Sequence, residues 1–258
     1  MAERVTARGR EILNIMLDFL IERGAVVIEM DTDGIYFQPP ENENGESLKK
    51  DLAKRLPAGI DVDFDASYKR MFSYKSKNYA LLKENNELLI SGAALKSRGL
   101  EPFQRRYIRE VLYALLEKDA AGIRQINQNF ERDLKEHRLP LQDLVKSETL
   151  SESVENYRKK MQSGGSSFRR SAAYEAAIRS GKEYRQGDQI TFYATGSKKR
   201  ITLADHAKLF ADADPEIRDE NVEYYLWELE ELRKKFQPFA DRLNTENPEQ
   251  QMEFQLEN

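Results

Sequence analysis

Apolar residues near the start of the chain follow two different spacings. From Val5 to Arg23 they recur on one face of a helix, and Gly24 is the residue type that ends one. The segment 25–37 then places two runs of β-branched and aromatic residues on either side of the acidic turn Asp31-Thr-Asp33-Gly34. This pattern predicts a β-hairpin with the preceding helix packed beneath it.

The following segment predicts short elements of a sheet. A short helix is expected near 47–55, ended by Pro57, and a strand at 60–65, where apolar and acidic residues alternate strictly. Further strands are predicted at 71–74, 79–82 and 87–91. An antiparallel sheet is therefore expected to dominate this first part.

After Gly99 the pattern becomes mostly helical. Long helices are predicted at 103–118 and 120–136, shorter ones at 151–161 and 171–179, and a final one at 221–243, with a strand at 188–193. The change in pattern near 98–102 is the best domain boundary. Together the two parts predict an α+β fold.

Composition narrows the class of protein. The 258 residues are 33% charged and 40% hydrophobic, with a mean hydropathy of −0.74, and they contain no long apolar run and no signal peptide. A soluble protein is expected, without membrane passage or secretion. No cysteine is present, which removes disulfides and thiolate metal sites and fits a cytoplasmic location. His137 and His206 are interpreted as surface residues.

The charge distribution matters more than the net charge. A formal net charge of −4 argues against a nucleic-acid partner, but the segment from Lys159 to Arg200 holds ten basic and three acidic residues. Clustered basic residues can bind a phosphate backbone on an acidic protein. This segment is therefore a candidate nucleic-acid surface.

The acidic turn is the candidate site for chemistry. Asp31 and Asp33 lie two residues apart in extended chain, so their carboxylates project to the same side and repel, unless a divalent cation lies beside them. The alternative is a turn without chemistry, since Asp and Gly are favoured in turns for backbone reasons. The acids of 60–65 leave a similar choice between a solvated strand face and a place for Asp63 or Asp65 beside the metal.

Motifs along nearly the whole chain resemble the C-terminal part of family B DNA polymerases. In order, they are Asp31-Thr-Asp33, Tyr68-Lys-Arg70, Lys75-Ser-Lys77-Asn-Tyr79, Ser97-Arg-Gly-Leu-Glu-Pro-Phe-Gln-Arg105-Arg106, Arg185-Gln-Gly-Asp188 and Asn221-Val-Glu-Tyr224-Tyr225. The resemblance extends from Arg4 to about Leu243. It implies an antiparallel palm sheet with packed helices at 1–98, a mostly helical thumb domain at 99–244 and a flexible tail at 245–258.

The resemblance also implies an activity and its cofactor. The complete enzyme would carry out template-directed nucleotidyl transfer with Mg²⁺ by a two-metal mechanism. Asp33 would be a direct metal ligand, with Asp31 further from the ion. The primer-template duplex would be held by basic and aromatic residues, with Lys77 and Tyr79 at its minor groove. The full set expected to bind DNA is Lys75, Lys77, Tyr79, Lys96, Arg98, Arg105, Arg106, Arg169 and Arg170. The alternative for each Lys or Arg is plain surface solvation.

Two motifs of the family do not occur in the sequence. One is the upstream strand with the second metal-binding aspartate, and the other is the helix with the lysine and asparagine that bind the incoming deoxynucleoside triphosphate. We therefore expect the isolated chain to be inactive and to act with an N-terminal polymerase portion, as a piece of one polymerase or the small subunit of a split one. A noncatalytic DNA-binding module is the alternative. A two-metal nuclease or phosphatase is a weaker one, since it needs more clustered ligands.

The C-terminal tail has an apolar pattern of its own. Met252, Phe254 and Leu256 alternate after Gln251 in an otherwise polar segment. It resembles a degenerate form of the Gln-led peptide with which polymerases of this family bind a sliding clamp. The alternative is a frayed terminus.

Overall fold

A computed structural model describes residues 2–32, 34–41, 43, 45–165 and 168–245 of the chain. They divide into two compact units, one reaching to Leu95 and one spanning Lys96–Asn244. Helices and small antiparallel sheets occur in both, so the predicted α+β class is confirmed. Asp33 and the tail from Glu246 onward, which carry the metal-ligand and clamp predictions, lie outside the described residues.

In the part of the first unit that the structure describes there are two helices and two antiparallel sheets. Its elements are α1 (Ala2–Glu22), β1 (Val26–Met30), β2 (Ile35–Gln38), α2 (Gly45–Ala53), β3 (Arg70–Lys75), β4 (Asn78–Leu82) and β5 (Leu88–Ser91). Strands β1 and β2 form the predicted hairpin, and β3, β4 and β5 form a three-stranded sheet in that order.

A small apolar core holds α1 against the hairpin and α2. Phe19 and Leu20 near the end of α1 pack with Leu48 and Leu52 of α2, and the apolar side chains of the hairpin pack against this cluster. Gly24 takes a φ of 80°, which an L side chain adopts only with strain, and this left-handed residue turns the chain into β1. The helix thus fixes the base of the hairpin.

The strand predicted at 60–65 is wrong. Residues 60–68 form no regular element. Ile60 is 36% exposed and Phe64 is 41% exposed, while Asp63 pairs with Lys49 of α2 at 2.6 Å. Alternation marks a strand only where a neighbouring edge supplies backbone partners, and here the segment crosses the surface, with Val62 packed on the core.

The described residues of the second unit form six helices and a sheet. Its elements are α3 (Pro102–Leu116), α4 (Ala120–Lys135), a 3-10 turn (Leu141–Asp143), β6 (Lys146–Thr149), α5 (Val154–Ser163), α6 (Ala172–Ser180), β7 (Gln189–Ala194), α7 (Leu203–His206), β8 (Ala207–Leu209), a second 3-10 turn (Phe210–Asp212) and α8 (Val222–Thr245). Strand β7 lies between β6 and β8 in an antiparallel sheet. The sequence predicted β7 and missed β6 and β8, because runs of four and three residues carry almost no periodicity.

Among the described residues there is no helix both long and apolar enough to cross a membrane.

Candidate functional site

The acidic turn lies at the tip of the β1–β2 hairpin. Met30 and Ile35 are its last paired residues, and the Asp31 N–H donates to the Gly34 carbonyl at 2.9 Å to close the turn. The Thr32 N–H and hydroxyl donate to Oδ1 of Asp31 at 2.6 and 3.1 Å. These bonds fix the Asp31 carboxylate at the end of β1.

Lys77 lies beside this carboxylate. Its ammonium Nζ is 2.9 Å from Asp31 Oδ1, although the two residues lie in turns of different sheets. The Lys77 ammonium, followed by the two donors of Thr32, holds the pKa of Asp31 below its ordinary value. The fold thus brings together two residues that the sequence assigned to the metal site and to DNA binding.

The turn that carries Lys77 joins β3 to β4. Lys77 takes a φ of 62°, in the left-handed region that few residues with a side chain adopt. The next residue, Asn78, donates to the Ser76 carbonyl at 2.9 Å and accepts from the Ala94 N–H at 2.8 Å. A Cβ placed on Gly92 would overlap the Lys77 carbonyl oxygen, so the backbone after β5 lies directly against the turn.

Tyr79 faces the hairpin from β4. Its hydroxyl is 3.1 Å from that of Tyr36 on β2, and the two rings lie 5.1 Å apart. Tyr68 adds a third ring, 6.5 Å from Tyr36. Burial, followed by the bond to Tyr79, raises the pKa of Tyr36, so the Tyr36 hydroxyl remains neutral near pH 7.

Sequence reasoning missed Glu29. This residue lies on β1, and its carboxylate accepts from the Lys77 N–H at 2.9 Å and from the Ser73 hydroxyl at 3.0 Å. Glu29 thereby joins the hairpin to the other sheet of the first unit. A signal existed, because a single charged residue interrupts the apolar run of β1.

The other five residues before position 107 that were predicted to bind DNA differ in their exposure and in their contacts. Lys75 is exposed with its ammonium 5.3 Å from the Tyr74 ring, and Lys96 and Arg98 are also exposed. By contrast, Arg105 donates twice to the Leu100 carbonyl. Arg106 donates to Asp143 at 2.9 Å and lies over the Phe130 ring. These two arginines are tied to their own unit.

Arg169 and Arg170 differ in the same way. Arg170 bonds Glu175 at 3.1 and 3.0 Å and Asp205 at 2.5 Å, which raises the pKa of its guanidinium. Glu175 is nearly buried and also accepts from the Tyr157 hydroxyl at 3.1 Å. Arg169 is exposed.

Much of the basic segment 159–200 is paired internally. Lys160 bonds Glu152 at 2.7 Å, Lys182 bonds Asp212 at 2.5 Å, and Arg179 donates to backbone carbonyls. Exposed cations remain after β7, at Lys198, Lys199 and Arg200. The buried Asn221 side chain supports this loop by donating to the carbonyls of Thr195 and Lys198 at 3.3 and 3.0 Å.

Several motif residues of the second unit are structural. Glu101 is 1% exposed and 3.1 Å from the Lys146 ammonium, and burial raises its pKa. The buried Tyr225 hydroxyl donates to the Leu144 carbonyl and accepts from the Ala194 N–H, both at 2.8 Å. Its ring meets Phe103 edge to face at 5.8 Å. These residues hold α3, α8 and β7 together.

Two smaller expectations concern charged side chains. Asp63 pairs with Lys49, and within the described ranges no group of three or more His, Cys, Asp or Glu could hold a metal ion.

His137 is not merely a surface residue, because its Nδ1 lies 2.7 Å from the buried carboxylate of Glu220. The fold brings this pair together from positions 83 residues apart, which no local pattern indicates.

The known proteins to which this chain is similar are DNA polymerases. Residues 1–234 match the family model described as DNA polymerase family B. The DNA polymerase of Thermococcus kodakarensis is 26% identical over 234 residues, and that of Methanocaldococcus jannaschii is 27% identical over 233. Each match covers 87% of this chain and only 13% or 14% of the relative.

A solved structure shares the fold. The family B DNA polymerase from Pyrobaculum calidifontis superposes with a TM-score of 0.68 at 20% identity, covering 95% of this chain and 30% of that one. This chain therefore spans a minor share of the proteins it matches.

Proposed function

The chain belongs to DNA polymerase family B, and we propose that it supplies the C-terminal palm and thumb portion of such a polymerase. The first unit would be the palm part and the second the thumb. The observation that carries the proposal is the meeting of Asp31 with Lys77, and of Tyr36 with Tyr79, across the two sheets of the first unit. An acidic tip beside a cation and a tyrosine suits a site where metal-bound phosphate meets a nucleic-acid backbone.

The residues present fit Mg²⁺. Mg²⁺ takes oxygen ligands, keeps several waters and needs only one or two carboxylates. The N–H and hydroxyl of Thr32 and the ammonium of Lys77 all reach Oδ1 of Asp31. Asp33 would be the direct ligand, and Asp31 would lie further from the ion. When bound, the metal ions would stabilise charge on the attacking and leaving oxygens of nucleotidyl transfer.

The chain's own cations would hold the primer-template duplex. Lys77 and Tyr79 would meet it at the palm, and Arg169 with the Lys198–Arg200 loop would meet phosphates at the thumb. Such contacts carry no base sequence, so binding would be nonspecific and steeply dependent on salt. An N-terminal polymerase portion would supply the second metal-binding aspartate and the residues that bind the deoxynucleoside triphosphate.

The Asp31–Lys77 ion pair also favours a second candidate, a noncatalytic DNA-binding module. In that case the acidic tip would serve only to orient Lys77. Polymerase activity that depends on Asp33 when the N-terminal portion is supplied would exclude it.

The tail belongs to the proposal as a weak sliding-clamp ligand. Ordering a short segment with few anchors limits the affinity to about micromolar or poorer. Calorimetric titration of a 246–258 peptide into the clamp tests this, with Gln251→Ala and Phe254→Ala together as the control. Absence of heat at high micromolar concentration would leave the tail without this role.

The duplex-binding role is tested by fluorescence anisotropy. We expect the full chain to prefer primer-template duplex over single strand and to lose affinity several-fold or more between low and physiological salt. The pair of substitutions Lys77→Ala and Tyr79→Ala should weaken binding further. Lys83→Ala, at the far end of β4, is the matched control and should leave it unchanged. No duplex binding at low salt would refute the proposal.

A further inference from the structure

One acid on β1 and one in the turn after it hold opposite ends of one lysine. Glu29 lies on β1, and Asp31 is the first residue after Met30, where that strand ends. The Glu29 carboxylate accepts from the Lys77 backbone N–H at 2.9 Å, and Asp31 receives the Lys77 ammonium at 2.9 Å. Lys77 is thus anchored at its backbone by one acid and at its side chain by the other.

The backbone anchor acts on a strained residue. Lys77 has a φ of 62°, a conformation that costs about 1 kcal/mol or more and persists where surrounding contacts enforce it. One such contact is the Glu29 carboxylate, which also accepts from Ser73 on β3 at 3.0 Å. Another is the backbone at Gly92, which packs against the turn.

We propose that Glu29 is a positioning residue that sets the Lys77 turn against the hairpin tip, so that the ammonium lies at Asp31 where duplex is bound. The part of this inference that concerns duplex binding rests on the proposed function. Glu29 would touch neither metal nor nucleic acid and would act through Lys77. Its two oxygens span two donors, a backbone N–H and a hydroxyl, and this span requires the full length of a glutamate.

The first measurement is hydrogen exchange at the Lys77 amide, followed by NMR on the full chain. Exchange should accelerate in Glu29→Ala and Glu29→Asp, since neither side chain reaches both donors, and should stay slow in Glu29→Gln, which keeps the length and a carbonyl acceptor. The contrast between Asp and Gln decides the matter even if the alanine variant does not fold. Glu87→Ala, between β4 and β5, is the control and should leave Lys77 unaffected.

The second measurement is a double-mutant cycle on duplex affinity. Glu29→Ala or Glu29→Asp should weaken binding about five- to tenfold, the worth of one hydrogen bond of ordinary strength, and should add nothing in a Lys77→Ala background. Losses that add independently, or unchanged exchange at the Lys77 amide in Glu29→Asp, would overturn the inference. A wild-type chain that binds no duplex would instead refute the proposed function, while the exchange data would still decide whether Glu29 positions Lys77.

Discussion

Two adjacent arginines of this chain differ in their contacts. Arg169 and Arg170 are indistinguishable by sequence, and both were expected to bind DNA. The structure engages Arg170 with Glu175 and Asp205 and leaves Arg169 exposed. Sequence could identify a basic segment but not which of its cations are paired, because the partners lie five and 35 residues away on other elements.

We predict that Arg170→Ala destabilises the second unit by about 1–3 kcal/mol, because it leaves the nearly buried Glu175 without its cation. Arg169→Ala should change stability by less than about 0.5 kcal/mol and should weaken duplex binding instead. Urea unfolding and anisotropy on the same two variants measure both quantities. Equal stability losses at the two positions would contradict the assignment.

The same network makes stability depend on pH. Hydrogen bonding to Arg170 lowers the pKa of Glu175 below its ordinary value, although burial opposes the shift. A carboxyl with a lowered folded-state pKa contributes stability above its unfolded pKa, near 4.3, and loses it as pH falls through the folded value.

Glu175→Gln should therefore lower the free energy of unfolding by about 1–3 kcal/mol at pH 7, and the difference from wild type should shrink below about pH 4. Urea titrations at several pH values measure it. Glu155→Gln, on the exposed side of α5, is the matched control and should show little difference at either pH. A gap that widens at low pH would show that Glu175 is not held as a carboxylate.

At the scale of elements, the sequence predicted those in which apolar residues recur over a long run. It failed where the run is short, or where a segment without regular structure has the same pattern as a strand. Helices α3, α4, α6 and α8 and the strands of the first unit lie where the pattern placed them. The segment 60–65 has the pattern of a strand without an available edge, and β6 and β8 form because β7 offers both of its edges to short runs. Pairing over long sequence separation decides such elements.

The turn between β3 and β4 is an element that a distant glycine makes possible. Gly92 has a φ of 92° and lies against the Lys77 carbonyl and the Asn78 side chain. Gly92→Ala combines backbone strain with overlap against backbone, and we predict a loss of about 1–3 kcal/mol in the stability of the first unit. Duplex affinity should fall in parallel.

Differential scanning calorimetry and anisotropy measure both effects of that change. Gly59→Ala is the control for backbone strain alone, since Gly59 has a similar φ of 85° and open space where the Cβ would lie. Equal effects of the two substitutions would mean that contact with the Lys77 turn is unimportant.

At the scale of the whole molecule, the motifs that carry the family resemblance divide into two kinds. In the second unit Glu101, Asn221 and Tyr225 are buried and hold elements together, so these motifs identify the fold rather than the chemistry. In the first unit Asp31, Lys77 and Tyr79 lie around the hairpin tip. The order of the motifs predicted both sets through the resemblance. It could not show that Glu29 joins the hairpin to the Lys77 turn, because that contact links residues 48 positions apart and two different sheets.

We propose that these 258 residues hold the duplex and one side of a metal site, and that the motifs they lack would complete the polymerase site. The most direct measurement is a gel-based primer-extension assay with Mg²⁺ and all four deoxynucleoside triphosphates, at a protein concentration where anisotropy shows the duplex bound. If the proposal is right, the chain alone binds the duplex and does not extend the primer. Templated incorporation by the pure chain that disappears in Asp33→Asn would contradict the claim, because it would show a complete active site within this sequence.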